Sequence, residues 1–559
     1  MELVLVEDEL RAKGLKNPSL SILTEGDQLA SAFFLQPKGD VKADANGIGS
    51  SDEVIAAIKF ESFMKLSIER NAALVVSPEY FCPWIVLRKI GSEFIPSINA
   101  LWVIGLASIT VELLNNFVGE NNQIKWVFSL PAGTPEKFLN PLAYIFRTED
   151  DTGNLQTVVL LQFKTKPMVD TTLQLERRHM LEGNKIYQFR NSANSIHLSS
   201  IICSDALDFD PTSFFPQWPH LPHILIHPQL NPNPIHTLFR DYRTRWSRLQ
   251  GDKKQVITLN WARGSQINGN TSNIEEFGRS CFYTKDNPIF GIGDHVSNHG
   301  SGFYYSYDKD RVHAFYLNFE EFVFETQIGK VGRSNVNAAS ANLACPSVIA
   351  YSWNQSNWVR ATNVDNGYST NCAWQGNVLT PLKNKNLTEI DKEIVINRST
   401  GSLKGSVKDF HLVRSVNPMD GEQLRRITFA QDQSLESREY RQRVNTLFRE
   451  LCMTVLTTPA NFPKNISFCA SNPNLSIFDG LFNLSNGTSD FAIVCYLGHV
   501  SSDEADKIYS EICGLIHSSD RRKICVWFHD DNGVRSKVEN RVQINDSFSE
   551  RPDDYTREA

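Results

Sequence analysis

No stretch of these 559 residues supplies the roughly 20 consecutive apolar residues that a bilayer-spanning helix requires. The strongest run, Ala100–Ala107, is far shorter and reads as a buried strand. A basic segment followed by an apolar core is also missing from the start. MELVLVEDELRAKGLK is acidic from its second residue, so no secretory leader is expected and the chain is expected to be cytoplasmic, with no membrane partner. The ten cysteines fall singly, with no C-x-x-C spacing. That excludes a zinc ribbon or a disulfide framework and leaves reduced thiols, most of them core residues. Positive charge is not in excess either: 56 Lys and Arg against 63 Asp and Glu leave a net charge of −7. Such a balance offers no general surface for phosphates, and nucleic acid is not expected as a partner.

The chain does have length and an ordinary composition, 41% hydrophobic and 21% charged, which rules out a disordered or fibrous protein and predicts two to four folded domains. Residues 1–29 read as an N-terminal extension. After them, short runs rich in β-branched and aromatic residues recur: Ala30–Gln36, Ala72–Ser77, Leu101–Ala107, Trp126–Leu130, Tyr144–Arg147, Val158–Lys164, Ser195–Cys203, His223–His227, Gln255–Leu259, Gly302–Asp308 and Arg311–Leu317. Helical spacing separates some of them, over Glu53–Arg70, with Val54, Ile58, Phe63 and Leu66 on the expected buried face, and over Phe239–Leu249. The pattern predicts a layered α/β domain over 30–331.

Residues 332–433 are Asn/Ser/Gly-rich and read as irregular. A helix is expected over Leu435–Leu456. Phe491–Leu497, a helix opened by a Ser501-x-x-Glu504 capping box, and Ile524–Phe528 then predict a β-α-β unit in a separate C-terminal α/β domain, 434–531. Residues 532–559 read as a polar tail.

Three buried runs end in a reactive side chain, at the end of the strand where α/β sheets place their sites. They are VVSPE with Glu79, LLQFKTKP with Lys164 and SIICSD with Cys203. A carboxylate, an ammonium and a thiol are the parts of covalent catalysis at a carbonyl or nitrile carbon. The thiol needs a base, and the oxygen that gains charge needs a fixed cation.

In this order and context the three motifs resemble those of the carbon-nitrogen hydrolase (nitrilase) superfamily. PHILIHPQLNPNP resembles the strand and loop that follow the family's nucleophile, RDYRTRWSRLQGDKKQVITLNWARGS its next helix and strand, and SGFYYSYDKDRVHAFYLNFEEFVF its closing hairpin. The resemblance covers about 30–331 and implies a nitrilase-like α-β-β-α sandwich that pairs into a dimer through outer helices. It implies a Glu79, Lys164, Cys203 triad acting on a small amide-type substrate, with no cofactor. A second glutamate is expected, best matched by Glu176, with Glu182 as the competitor. Lys166 stands where the family commonly has His and competes with Lys164. Ser204 and Asp205 follow the Cys where true nitrilases have Trp-Glu, so the resemblance leans to amidase or carbamoylase chemistry. The helix after Pro234 carries Arg243, Arg245 and Arg248 without the family's Glu-Asn. Two branches are set aside: lipoprotein N-acyltransferases need membrane helices, and glutamine-dependent NAD synthetases need an S-G-G-x-D-S loop that this chain lacks.

Other features read as structural. Cys82 is expected to pack beside the site. His223 and His227 would share one face of a strand roughly 13 Å apart, too far for one ion, and no metal is assigned to them or to His220. GIGDHVSNHGSG lacks the glycine pattern of a dinucleotide or phosphate cradle and reads as a loop. A second class of function stays open: a nitrilase-like effector or scaffold in a bacterial stress or defence complex, with the C-terminal region as sensor or partner-binding domain.

Overall fold

The computed structural model describes residues 1–26, 29–134, 136–168, 174–214, 221–232, 254–270, 277–278, 280–285, 302–307, 312–329, 348–362, 446–447, 449–457, 462–470, 481–499, 502–516, 522–530 and 533–539, with single residues at 239, 242, 243, 245, 246, 249, 382 and 385. Several expectations lie outside these residues: most of 332–433, the start of the helix at Leu435, the cap at Ser501, the Gly-rich loop, His220, Arg248 and the tail beyond 539.

The chain divides into two compact units, one of residues 1–304 and 310–367, the other of 305–309 and 368–559. In the first unit, the nine-stranded sheet runs in the order Trp358–Arg360, Val348–Trp353, Phe322–Gly329, Leu29–Gln36, Leu74–Val76, Leu101–Gly105, Pro141–Glu149, Leu155–Phe163 and Lys125–Val127. Seven strands of the eight-stranded sheet lie wholly in this unit, in the order Glu2–Leu5, Lys185–Arg190, His197–Ser200, His223–Pro228, Lys254–Leu259, Cys281–Lys285 and Val312–Leu317.

Alternation along the strands explains the layers, because successive side chains point to opposite faces. Phe33, Leu35, Val75, Trp102, Ile104, Ala143 and Ile145 pack with Phe60, Phe63, Leu114 and Phe117 of the helices Glu53–Glu69 and Val111–Glu120. On the opposite face Phe34 meets Phe282, and Tyr144 and Phe146 meet Phe189, so the two sheets stack. The far face of the eight-stranded sheet is covered by the helical turns that hold Tyr242 and Trp246, which touch His227 and His223. The result is an α-β-β-α sandwich whose central strands are buried on both faces, as in a doubly covered sheet.

Three expectations change here. Residues 1–29 are no loose extension: Glu2–Leu5 pairs in parallel with Lys185–Gln188 and forms an edge of the eight-stranded sheet. The sandwich does not end at Val331, because Val348–Trp353 continues the nine-stranded sheet and Trp358 donates from its indole to the Lys59 carbonyl beneath it. Glu53–Glu69, capped by Asp52 on the Ile55 N–H, buries Ala56, Phe60, Phe63, Met64 and Ser67. Val54 and Ile58 lie on the neighbouring stripe, and Val54 is 69% exposed.

The second unit holds a five-stranded sheet in the order Ser467–Ala470, Leu481–Ser485, Asp490–His499, Lys523–Asp530 and Gly533–Glu539. The strands either side of the helix Ser502–Leu515 are parallel, as a β-α-β crossover demands. That helix buries Ala505, Tyr509 and Ile512 on the sheet face of Ile493, Cys495, Ile524 and Val526, while Cys452 and Leu456 cover Phe482, Val494 and Tyr496 on the other. Gly533–Glu539, read from sequence as the start of a tail, is an antiparallel edge strand.

Candidate active site

The strand Leu74–Val76 delivers the chain to Pro78-Glu79, where it turns sharply: Tyr80 sits at a left-handed φ of 64°. The turn lies against Gly105 of the neighbouring strand. A β-carbon there would fall 2.2 Å from the Pro78 carbonyl oxygen and 2.7 Å from the Glu79 Cα, so only glycine fits. The Glu79 carboxylate is buried and fully engaged. Its Oε1 accepts from Lys164 Nζ at 2.8 Å and from Asn140 Nδ2 at 2.7 Å, and its Oε2 from the Leu230 N–H at 2.8 Å.

Lys164 follows the strand Leu155–Phe163, with its own N–H donated to the Asn140 carbonyl at 2.9 Å. Its ammonium lies between two carboxylates, 2.8 Å from Glu79 and 2.8 Å from each oxygen of Glu176. Glu176 is held in turn by the Tyr80 hydroxyl at 2.7 Å and the Met168 N–H at 2.5 Å. The competing residues are elsewhere. Lys166 pairs with Asp208 at 2.7 Å, half-exposed, and Glu182 is exposed.

Cys203 opens a short 3-10 turn, Cys203–Leu207, after the strand His197–Ser200, with a left-handed φ of 40° that is costly for a residue with a β-carbon. Its thiol is buried and approaches the Leu230 carbonyl at 3.8 Å, on the same residue whose N–H donates to Glu79 Oε2 at 2.8 Å. Asp205 fixes this turn to the end of the lysine strand. Its Oδ1 accepts from the Thr165 N–H at 2.8 Å, the Thr165 hydroxyl at 2.9 Å and the Lys166 N–H at 2.9 Å, while its Oδ2 accepts from the Ile202 N–H at 2.9 Å. Ser204 donates to the Lys166 carbonyl at 2.6 Å. Asp205 and Ser204 thus join two segments that the sequence keeps far apart.

The electrostatics follow from burial. Desolvation raises the Glu79 carboxyl against the Lys164 charge that lowers it. Desolvation would lower Lys164, but the charges of Glu176 and Glu79 outweigh it and hold the ammonium raised. Desolvation and then the Glu79 charge hold the Cys203 thiol well above its ordinary range. Thiol, carboxyl and ammonium are thus buried together, in surroundings that disfavour a thiolate at rest.

Sequence reasoning missed Asn140, Tyr80 and Leu230, which hold the carboxylates. Only the turn-forming Asn-Pro step at 140 carried a local signal. His223 and His227 do line one strand face, packed on Trp246 and Tyr242. Cys82 is buried, with its sulfur toward the Pro83 carbonyl. Among the described residues no His, Cys, Asp and Glu group has the arrangement of a metal site.

No protein-family model matches the sequence, and no curated protein matches it. Solved structures similar to the chain include the glutamine-dependent NAD+ synthetase from Acinetobacter baumannii in complex with ADP, at 10% identity and a TM-score of 0.30 over 54% of this chain. The match spans 46% of the synthetase, about half its length. A variant of a Nesterenkonia amidase of the nitrilase superfamily matches at 12% identity and a TM-score of 0.25, over 47% of this chain and 85% of that one. A CN-hydrolase superfamily protein from Xanthomonas campestris with an arsenic adduct in its active site matches at 11% identity and a TM-score of 0.25, over 45% and 82%.

Proposed function

We propose that the first unit hydrolyses a non-peptide C–N bond in a small amide or carbamoyl-type substrate through a Cys203 thioester. One observation carries the reading: the Lys164 ammonium is clamped between Glu79 and Glu176 at 2.8 Å, while the Cys203 sulfur and the Glu79 carboxylate both meet the Leu230 backbone, at 3.8 and 2.8 Å. A structural ion pair needs one carboxylate per cation. A second carboxylate and an adjacent thiol at a strained backbone position supply instead a base, a cation and a nucleophile for one carbonyl.

In the proposed reaction Glu79 takes the thiol proton as sulfur bonds to the carbonyl carbon, and the carbonyl π pair moves onto oxygen. Lys164 and the Ser204 N–H meet that charge. The oxygen pair returns, the C–N bond breaks, and the leaving nitrogen takes the proton from Glu79. Glu79 then draws a proton from water as its oxygen attacks the thioester, the C–S bond breaks, and the sulfur recovers that proton. Glu176, which touches neither thiol nor base, keeps the ammonium in place and charged.

The test is intact-mass detection of an acyl adduct on Cys203, with ammonia release from a panel of primary amides and carbamoyl compounds. Cys203→Ala should abolish both while keeping the melting temperature, since one sulfur contributes little packing. A Cys203 that alkylates readily but never acylates overturns the hydrolase and favours an effector or scaffold role.

A further inference from the structure

Behind the nucleophile stands a chain of side chains that the proposed reaction does not yet use. His227 is fully buried on the strand His223–Pro228, and its Nε2 lies 2.9 Å from the Cys203 carbonyl oxygen. A carbonyl only accepts, so Nε2 carries the hydrogen. The neutral ring then presents Nδ1 as acceptor, and two donors reach it: the Tyr242 hydroxyl at 2.5 Å and Gln229 Nε2 at 3.0 Å. The Arg243 guanidinium lies over the Tyr242 ring, 5.7 Å from its centre. Every partner thus favours one tautomer, and burial lowers the imidazolium pKa to about 3, so the ring stays neutral across the physiological range.

What this ring holds is the peptide between Cys203 and Ser204. Upstream, Asp205 already grips the Ile202 N–H. The Cys203 carbonyl and the Ser204 N–H belong to one rigid plane and point in opposite directions. A donor that fixes the carbonyl therefore fixes the direction of the N–H, and by drawing electron density to oxygen it makes that N–H a stronger donor. The geometry points to His227 as a positioning residue that, braced by Tyr242 and Gln229, orients the Ser204 N–H toward the oxyanion of the tetrahedral intermediate. This rests on the hydrolase reading for its role in catalysis, but the orientation of the peptide stands independently.

The experiment separates the two. Cys203-Ser204 is the one Cys-Ser step in the sequence, so carbonyl-13C cysteine with 15N serine gives a single amide resonance for Ser204. His227→Leu should move the Cys203 carbonyl resonance upfield and broaden the Ser204 amide. His227→Gln, which keeps a donor, should restore both, and Tyr242→Phe should fall between. Unchanged resonances in His227→Leu, or in Tyr242→Phe should the former not fold, overturn the positioning whatever the enzyme does. For catalysis, 4-nitrophenyl acetate is the probe. The acylation rate should fall about 10- to 100-fold in His227→Leu, with iodoacetamide alkylation of Cys203 within about threefold of wild type, because alkylation builds no oxyanion. Equal loss in both reactions, or no loss in acylation, overturns the catalytic part. A wild-type protein that alkylates but does not acylate overturns the hydrolase reading itself, while the resonances still decide the positioning.

Discussion

Removing the buried cation gives the most direct measure of the site's electrostatics. Lys164→Met keeps most of the side-chain volume and deletes three charge-assisted hydrogen bonds of 2.8 Å. Glu79 would retain Asn140 and Leu230, and Glu176 would retain Tyr80 and Met168. Both accepting oxygens lie 2.8 Å from one nitrogen, so they are at most about 5.6 Å apart and, both charged, repel by about 3 kcal/mol or more at an effective dielectric near 20. One carboxyl of the variant should therefore be raised on folding, holding its proton to a higher pH than it does in the unfolded chain. A carboxyl raised on folding contributes stability that is complete below its unfolded value and is lost as pH climbs to the folded one. Lys164→Met should thus lose little at pH 5 and about 3 to 5 kcal/mol at pH 7.5, the usual cost of stripping a partner from a buried charge. Glu79 is raised in the wild type too, so the quantity to compare is the difference between the proteins. Two compact units make a global melt ambiguous. Urea-dependent hydrogen exchange in peptides covering 155–163 and 197–207 reads the site directly. A difference flat with pH, or below about 1 kcal/mol at pH 7.5, refutes the reasoning.

Cys469 is exposed while Cys203 is buried, so thiol labelling belongs in a Cys469→Ser background. Substoichiometric iodoacetamide should there place its adduct on the Cys203 peptide, at a rate that rises with pH because the thiol is held high and that falls in Glu79→Gln; adducts on Cys513 or Cys525 instead would count against activation. Asp205→Asn puts an amide against donors that now meet a carboxylate, and should cost about 1 to 3 kcal/mol by chemical denaturation. Gly105→Ala should cost at least as much and slow acylation, since the new methyl displaces Pro78 and Glu79; wild-type kinetics would show that the turn yields. Lys166→Met removes only a half-exposed pair with Asp208 and should shift stability by under about 1 kcal/mol, with acylation unchanged, whereas an inactive variant would reverse the choice of lysine.

The sequence carried the site's position because three short apolar runs each end in one reactive side chain. A sheet buried on both faces must put such a residue at a strand end, where the backbone leaves the layer. The groups that orient them were not legible, because their contribution depends on non-local contact. Leu230 acts through its backbone N–H, Tyr80 through a left-handed turn that a tyrosine does not advertise, and Asn140 by facing a residue 61 positions away. Boundaries failed for a related reason. Glu2–Leu5 finds its partner near residue 185, and Val348–Trp353 finds its place only by pairing with Phe322–Gly329. On Glu53–Glu69 nearly every position of the first two turns is apolar, so periodicity alone could not choose between the Val54-Ile58 stripe and the Ala56-Phe60 stripe that the sheet covers.

The charge inventory of the site constrains how the proposed reaction begins. The buried cluster sets two carboxyl groups against one ammonium, so acidic groups outnumber cations around the thiol. A resting thiolate would add a further negative charge within the same dry volume, which is why burial and the Glu79 charge both push the thiol upward. Moving the thiol proton to Glu79 as sulfur attacks avoids that state: the base becomes neutral, and the new negative charge appears on the substrate oxygen. Lys164 then faces Glu176 and the oxyanion, so its ammonium stays matched to two anionic partners throughout. On this argument the second glutamate is needed because the first gives up its charge during attack, and a lysine held by Glu79 alone would lose its counter-ion at the moment it had to remain fixed.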